Sequence, residues 1–424
     1  MKTLLLIPLW FVLATAAHAQ WTGFRGANGV GVSSDVHLPV EWSETKNIRW
    51  KTDLPGRGNS SPVVVGDRIY LTTKTEDGGL HLLSMDRLSG EIVWQKKVGS
   101  GTLAAKGPER LWAPLHNAAS PTPVADENHV WAFFGTGLLV CFGKDGEARW
   151  ERDLVKDYGA YDITFGMGSS PRMSSGGLII NCMTKGPSYV LCLNPADGKE
   201  IWKSEREYNT PNDHPDSYAT PAVRPTGVGE QLLIAGSAHL DAYDPQTGKR
   251  LWHVGGFEIE SPYGRMVASP AISENGHKVV QLAGNPGGGG LGRAITFDIF
   301  SEPEPKKLWN YEKKTPDSST PVIYNGVVYF LRDSGVGAAL DLETGELLWE
   351  ERLAQKGVYP AAVAGDDKVY LLASSGLCTV LKAGRKFEKL AANQLPGQFN
   401  ATPAIAYGEI YLRSYDALWA IGNQ

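Results

Sequence analysis

Cysteine is scarce in this chain: four residues among 424, no two adjacent and none near the N-terminal apolar run. A scaffold stapled by many disulfides is therefore excluded, and a bacterial lipid anchor is not expected. Charge of one sign is lacking too. Lys and Arg number 41 against 46 Asp and Glu, for a formal net charge of -5, so neither a basic face for nucleic acid nor an acidic tail is present. Beyond the first nineteen residues no run reaches the roughly eighteen apolar residues of a membrane-spanning helix. The nine histidines include no H-E-x-x-H, no Cys/His spacing and no pair at helical offsets, which leaves a zinc site without support. The run Gly287 to Gly290 in GNPGGGGLGRA is followed by RAITFDIF, which alternates like a strand. A phosphate loop needs a helix there, so a hairpin loop is expected instead.

What is abundant is glycine, at 49 residues, the mark of a turn-rich all-β chain. The N-terminus begins as a targeting segment. Lys2 supplies a positive start, an apolar run extends from Leu4 to Ala16, and Ala17-His18-Ala19 fits the small-x-small cleavage rule. Cleavage after Ala19 is expected, giving a soluble protein that is periplasmic or secreted.

The rest of the chain repeats. A proline, typically behind a small residue and at the head of a short apolar run, recurs at Pro62, Pro121, Pro171, Pro221, Pro270, Pro321, Pro360 and Pro403. A period of about 40 to 50 residues is how solenoids and propellers announce themselves. The end of each unit reads A-x-D-x-x-T-G-x-x-x-W. Ala242, Asp244, Thr247, Gly248 and Trp252 fit it fully, as do Ala339, Asp341, Thr344, Gly345 and Trp349. Near copies end in Trp94 and Trp202, a shortened turn leads to Trp150, and Trp309 stands without its glycine. The acid can accept backbone N–H groups in the turn, the glycine supplies a left-handed residue for a bulged hairpin, and the tryptophan falls on the outermost strand. Phe387 is taken as the substitute for tryptophan in the weakest unit.

These residues resemble the PQQ-like (pyrroloquinoline-quinone-type) β-propeller repeat family over everything after the leader. In that family the motif docks adjacent blades through its tryptophan. The family contains the quinoprotein alcohol and sugar dehydrogenases and also the outer-membrane assembly lipoprotein BamB, a ring without cofactor. The resemblance implies an all-β, eight-bladed propeller with four antiparallel strands per blade. The last unit lacks an outer strand, and Asn47-Ile48-Arg49-Trp50 can supply it, removing exposed sheet edges. Seven blades is the alternative. The chain divides into a leader at 1–19, an extension packing on the propeller at 20–46 and the propeller at 47–424. Cys141, Cys192 and Cys378 are placed in the small buried slot of Ala242, unbridged. Cys182 lies on the strand before Cys192, so a cross-strand bridge between them stays open.

Blade-to-blade connections of a propeller converge on one mouth of its channel. Here they carry Arg110, Trp112, His116 and Asn117; Asp157, Tyr158, Tyr161, Asp162 and Phe165; Asp213, His214, Asp216 and Tyr218; and Tyr263 and Arg265. Arg57, Asp317, Tyr359 and Asn400 complete the rim. Aromatics interleaved with arginine and carboxylates suit a polar ligand or a peptide. Three readings follow. The first is a non-catalytic binding or assembly scaffold of the cell envelope, monomeric and without cofactor, with a protein or polysaccharide partner. The second is a small quinoprotein using PQQ and Ca²⁺, with those aspartates as oxygen ligands. The third is a carbohydrate-binding module. Against the second, the adjacent cysteine pair that the resemblance would require is missing.

Overall fold

The computed structural model describes residues 19–103, 105–107, 113, 115–210, 215–260, 264–284, 292–300 and 304–423. Its strands form eight four-stranded antiparallel sheets arranged as blades, seven of them built from consecutive strands. The eighth is composite. It holds the three C-terminal strands of the chain, and the last of them, Ala417–Ile421, pairs with the first strand of the chain, Ile48–Asp53. Trp50 lies opposite Ala420, so the N-terminus closes the ring as the unassigned tryptophan suggested.

Each turn of the repeat does what its residues dictate. Asp244 Oδ1 accepts the N–H groups of Gln246 and Thr247 at 2.8 and 3.1 Å, and Asp341 Oδ1 those of Glu343 and Thr344 at 2.8 and 2.7 Å. Gly248 then takes φ +68, a value that carries no steric penalty for glycine. A second demand falls on the same residue. A Cβ there would stand 2.4 Å from the Trp202 ring of the preceding blade. The indole N–H of Trp202 donates to the Pro245 carbonyl in that turn at 2.9 Å. Equivalent bonds run from Trp50 to Arg87, Trp94 to Lys144, Trp150 to Pro195 and Trp309 to Leu342, at 2.9 to 3.0 Å. Trp252 is buried with Ile272 and Phe297 of the next blade. In every case the hydrophobic core lies between blades rather than within one.

The slot opposite each tryptophan is a small residue, followed by a bulge: Ala242 faces Trp252, Cys192 faces Trp202 and Cys141 faces Trp150. The seventh blade corrects two expectations. Its bulge falls after Val380, which faces Ala391, so Ala391 and not Phe387 holds the tryptophan position. Phe387 lies in the longer turn and packs edge-on against Trp349 of the blade before, with centroids 5.2 Å apart. Cys378 faces Asn393 and is therefore two residues short of the slot. All four cysteines are buried and free. The Cys182–Cys192 bridge does not form because register sets Cys182 against Tyr189 and Cys192 against Ile179.

At the channel the blades are joined by a second device. Ser61, Thr122, Ser170, Thr220, Ser269, Thr320 and Thr402 stand one per blade at the head of the innermost strand, all at most 5% exposed. The N–H of Ser61 donates to Thr122 Oγ1 at 2.8 Å. The pattern continues from Thr122 to Ser170, to Thr220, to Ser269 and to Thr320, and from Ala361 to Thr402 and back to Ser61, at 2.9 to 3.1 Å. The repeat heads are thus corrected in two blades: Thr122-Pro123 replaces Ser120-Pro121, and Ala361-Ala362 replaces Tyr359-Pro360. Ala361 has no hydroxyl to accept the Thr320 N–H. At that seam Ala362, which unlike proline keeps its N–H, donates to the Thr320 carbonyl at 3.1 Å instead.

One end of the channel is closed by the N-terminal extension. Its backbone bonds to Val64, Ala125, Val223 and Ala364, in four innermost strands. Arg172 Nη1 and Nη2 hold the carbonyls of Gly26 and Phe24 from a further blade. The extension is thereby a plug, and the blade-to-blade loops form the opposite, open mouth.

Replacing Ala361 with serine supplies the missing acceptor. Stability is expected to rise by about 1 kcal/mol, the net worth of a buried hydrogen bond. Thermal and urea unfolding of A361S check this, and an unchanged or lower midpoint would mean the Thr320 amide does not need that partner.

Candidate functional site

The mouth is organised around two arginines seated on aromatic faces. The Arg265 guanidinium lies 4.2 Å from the centre of the Phe165 ring and 5.6 Å from that of Tyr218, within cation–π range. Its Nη2 pairs with Asp317 Oδ2 at 2.9 Å, with each side chain about a tenth exposed (11% and 10%). The Arg57 guanidinium lies 3.8 Å over Tyr415. Each arginine is pinned through its backbone by one antiparallel bridge, Arg57 to Lys74 and Arg265 to Gly284, and side chains of neighbouring loops hold the rest of those connections in place.

Polar residues do this. Asn117 Nδ2 donates to the Arg57 carbonyl at 2.9 Å, while its Oδ1 accepts the Ala119 N–H at 2.8 Å. Asn400 Nδ2 donates to the Tyr415 hydroxyl at 2.7 Å and to the Leu115 carbonyl at 3.0 Å. His116 Nε2 donates to the Phe165 carbonyl at 2.6 Å, tying the first long loop to the second. Burial pushes His116 down to about 4, and the Arg265 and Arg57 charges push the same way, so it is neutral at physiological pH. The Thr164 N–H is capped by Asp216 Oδ2 at 2.7 Å.

Asp333 supports Arg265 through Asp317. Its Oδ2 accepts the Asp317 N–H at 2.9 Å. Burial raises its pKa to about 6, with the Asp317 charge adding to the rise and the Asp317 N–H and Arg265 opposing it. Tyr359 is raised as well, first by burial and then by Asp333.

Of the residues expected at the rim, the structure brings together Arg57, His116, Asn117, Tyr218, Arg265 and Asp317, with Phe165, Tyr359 and Asn400. Tyr161 is corrected: it is only 3% exposed, within a core of the second and third blades, its hydroxyl 3.7 Å from Cys182 Sγ. The loop there alternates, sending Tyr161 inward and Asp162 into solvent. Asp162 is held by backbone bonds to the Lys185–Gly186 turn, apart from the arginines. Arg110, Trp112, His214 and Tyr263 lie outside the described residues, as do residues 1–18 of the leader and the run Gly287 to Gly290. Asp333 and Tyr415 were not singled out from sequence. Each sits in a turn between the second and third strands of its blade, and such turns open on the same face as the blade-to-blade loops. Surveying both loop classes would have found them.

Beneath the mouth the channel is a cavity of about 150 Å³ walled by the eight strand-head residues and floored by Phe24 of the plug. Among the described residues, the carboxylates proposed to hold a quinone's calcium do not gather at this cavity. The cavity is below the roughly 300 Å³ at which small-molecule pockets begin. The proposed oxygen ligands are dispersed. Asp157 pairs with Arg152, Asp216 caps a loop, Asp317 pairs with Arg265, and Asp213 lies outside the described residues. No group of three metal-ligating side chains occurs among the described residues. Nor is any described helix long and apolar enough to cross a membrane.

The sequence matches the family described as outer membrane protein assembly factor BamB at residues 9–165, 103–300 and 186–423. It is similar to the outer membrane protein assembly factor BamB of Burkholderia pseudomallei, 23% identical over 319 residues, 67% of this chain and 76% of that protein. It is also similar to tetrathionate hydrolase of Acidithiobacillus ferrooxidans, 26% identical over 288 residues, and spans only about half (55%) of that relative's length. Among solved structures, a europium-containing methanol dehydrogenase superposes with a TM-score of 0.65 at 10% identity, over 93% of this chain and 89% of that one. At that identity the likeness is one of fold.

The Asp333 pKa gives a pH test. A carboxyl raised in the folded state favours folding while protonated, so its contribution is full below about 4 and is lost as pH rises through about 6. Asp333→Asn keeps an acceptor for the Asp317 N–H without the charge. The variant is expected to be more stable than wild type at pH 7, with the difference vanishing by pH 4. Unfolding midpoints across that range provide the measurement, and a constant difference would remove Asp333 from the account.

Proposed function

We propose, for a chain that belongs to the family of the outer membrane protein assembly factor BamB, that it serves as an exported, non-catalytic scaffold whose protein partner docks on the open channel mouth. The carrying observation is Arg265, fixed by Asp317 and seated on Phe165 and Tyr218. Arginine and aromatics held in one geometry are the residues that dominate interface energies. Because Asp317 and the rings already restrain the guanidinium, little side-chain entropy remains to be lost on docking. The plug supports a one-sided design. It seals the far end, so ligands meet the loops and the shallow cavity beneath them. The cavity's size and the dispersed carboxylates speak for a docking surface over a quinone site. In this reading the protein works as a monomer and spends its fold on positioning loops.

The test uses a photo-crosslinking residue in place of Tyr415, in the full-length protein expressed in its own envelope. A discrete protein adduct is expected. In the same background Phe165→Ala or Arg57→Ala should reduce that adduct at least tenfold without lowering the melting temperature. Adduct that persists in both variants would move the site elsewhere. A melting temperature raised by PQQ with Ca²⁺, and not by Ca²⁺ alone, would overturn the non-catalytic reading, because ligand that binds the native state must stabilise it.

A further inference from the structure

We propose that the outer side of the plug carries a second docking site, a groove that takes an extended basic peptide segment of a partner protein. A cavity of about 550 Å³ lies between the plug and the turns that join the first and second strands of the fifth, sixth and seventh blades. Such turns open at the end opposite the mouth. The volume falls in the range of ligand sites, roughly 300 to 1,000 Å³. Four carboxylates line it, Asp35, Glu274, Asp366 and Asp367, against one basic side chain, Arg25.

The exposed wall offers a place for a cation. Glu274 and Asp367 come from different blades and are held by one residue between them. The Asn325 N–H donates to Glu274 Oε2 at 3.1 Å, and Asn325 Nδ2 donates to Asp367 Oδ1 at 3.2 Å. The Tyr324 hydroxyl accepts the Asp367 N–H at 3.1 Å. Asp366 is paired with Lys368 at 2.6 Å, but among the described residues neither Glu274 nor Asp367 forms an ion pair. The buried wall shows what else the occupant carries. Arg25 and Trp21 are 0% and 1% exposed and line the cavity, yet Nε and Nη1 of Arg25 and Nε1 of Trp21 have no hydrogen-bond partner. Arg25 is otherwise held by carbonyls, its Nη2 donating to those of Val30 and Pro321 at 3.0 and 2.6 Å. Buried N–H groups are costly unless an acceptor reaches them, and a peptide carbonyl is an acceptor of the kind Arg25 already uses.

These two walls select the occupant. A polyamine or a metal ion offers no acceptor to Arg25 and Trp21, and a free anion is opposed by the carboxylates. A peptide with a lysine or arginine brings both, carbonyls toward the buried wall and a cationic side chain toward Glu274 and Asp367. Among the described residues, all nine exposed large apolar side chains lie at this end of the propeller, in its turns, in the extension or in the first two residues of outer strands. Val36, 58% exposed, stands in the cavity wall itself, so an apolar residue is expected beside the basic one. A second copy of the chain docking by this face, or an anionic membrane, would set further negative charge against the same carboxylates.

The probe is the peptide N-acetyl-Lys-Leu-Lys amide, titrated into the full chain with its valine methyl groups labelled for NMR. The Val32 and Val36 methyl resonances, both from the cavity wall, are expected to shift saturably. N-acetyl-Glu-Leu-Glu amide should leave them in place. Glu274→Gln combined with Asp367→Asn should weaken binding of the basic peptide about tenfold, through loss of two charge-assisted contacts, and added salt should weaken it in the wild type. Equal shifts with the acidic peptide, or affinity undiminished in the double variant, would overturn the proposal. Should that variant fail to fold, salt-independent binding to the wild type would overturn it as well. So would Val36 shifts that grow with protein concentration alone, the sign of a second copy on this face, or equal shifts on phosphatidylglycerol vesicles.

Discussion

The seam between blades is the constraint on which this structure depends. Each blade alone is a four-stranded sheet with little to bury against itself, and the cores are found where one blade meets the next. Two sets of bonds hold the seams from opposite ends, the outer at five of the eight and the inner at seven. On the outside, an indole N–H reaches the next blade's turn, over a glycine that has no Cβ to block it. On the inside, a backbone N–H reaches the next blade's hydroxyl. Neither set works in an open array, because the first and last units would each leave a face uncovered. Closure by the strand Ile48–Asp53 makes the chain's two ends one blade, and the plug then fastens the same N-terminal segment across four other blades.

Division of labour follows. The blades and plug absorb the hydrophobic energy, so the loops at the open mouth are released from packing duty. There the chain places Arg57 on Tyr415 and Arg265 on Phe165, with Asp317 and the neutral His116 fixing the loops that carry them. The same fold houses catalytic and non-catalytic relatives, and fold alone does not choose between functions. In this chain the mouth offers shaped cation–π surfaces over a shallow cavity, an arrangement suited to capture.

Much of this was legible in the sequence because repetition multiplies weak signals. Asp244, Gly248 and Trp252 would mean little singly, but their recurrence fixed the turn, the bulge and the outer strand. Trp50 disclosed ring closure because it had no unit of its own. Errors arose where a repeat position was occupied by another residue type. Thr122-Pro123 lay hidden beside Ser120-Pro121, and Ala361-Ala362 had no proline to mark it. A turn longer by one residue displaced the frame at Cys378 and Phe387. At the mouth, residue type identified Arg57 and Arg265 but not direction. Tyr161 turned inward because loop alternation is set by tertiary packing, and Asp333 and Tyr415 entered from hairpins whose spatial convergence no local pattern records.

The central claim is that the hydroxyl ring locks the seams, with a single break at Thr320. Residue-resolved hydrogen exchange of the backbone amides tests it most directly. The amides of Ser61, Thr122, Ser170, Thr220, Ser269, Ala361 and Thr402 are expected to exchange only through global unfolding, with one common free energy. The Thr320 amide, whose equivalent acceptor position is the Ala361 methyl, should exchange through a smaller opening and much faster. Equal protection at Thr320 and at the other seven, or rapid exchange throughout the ring, would contradict the account.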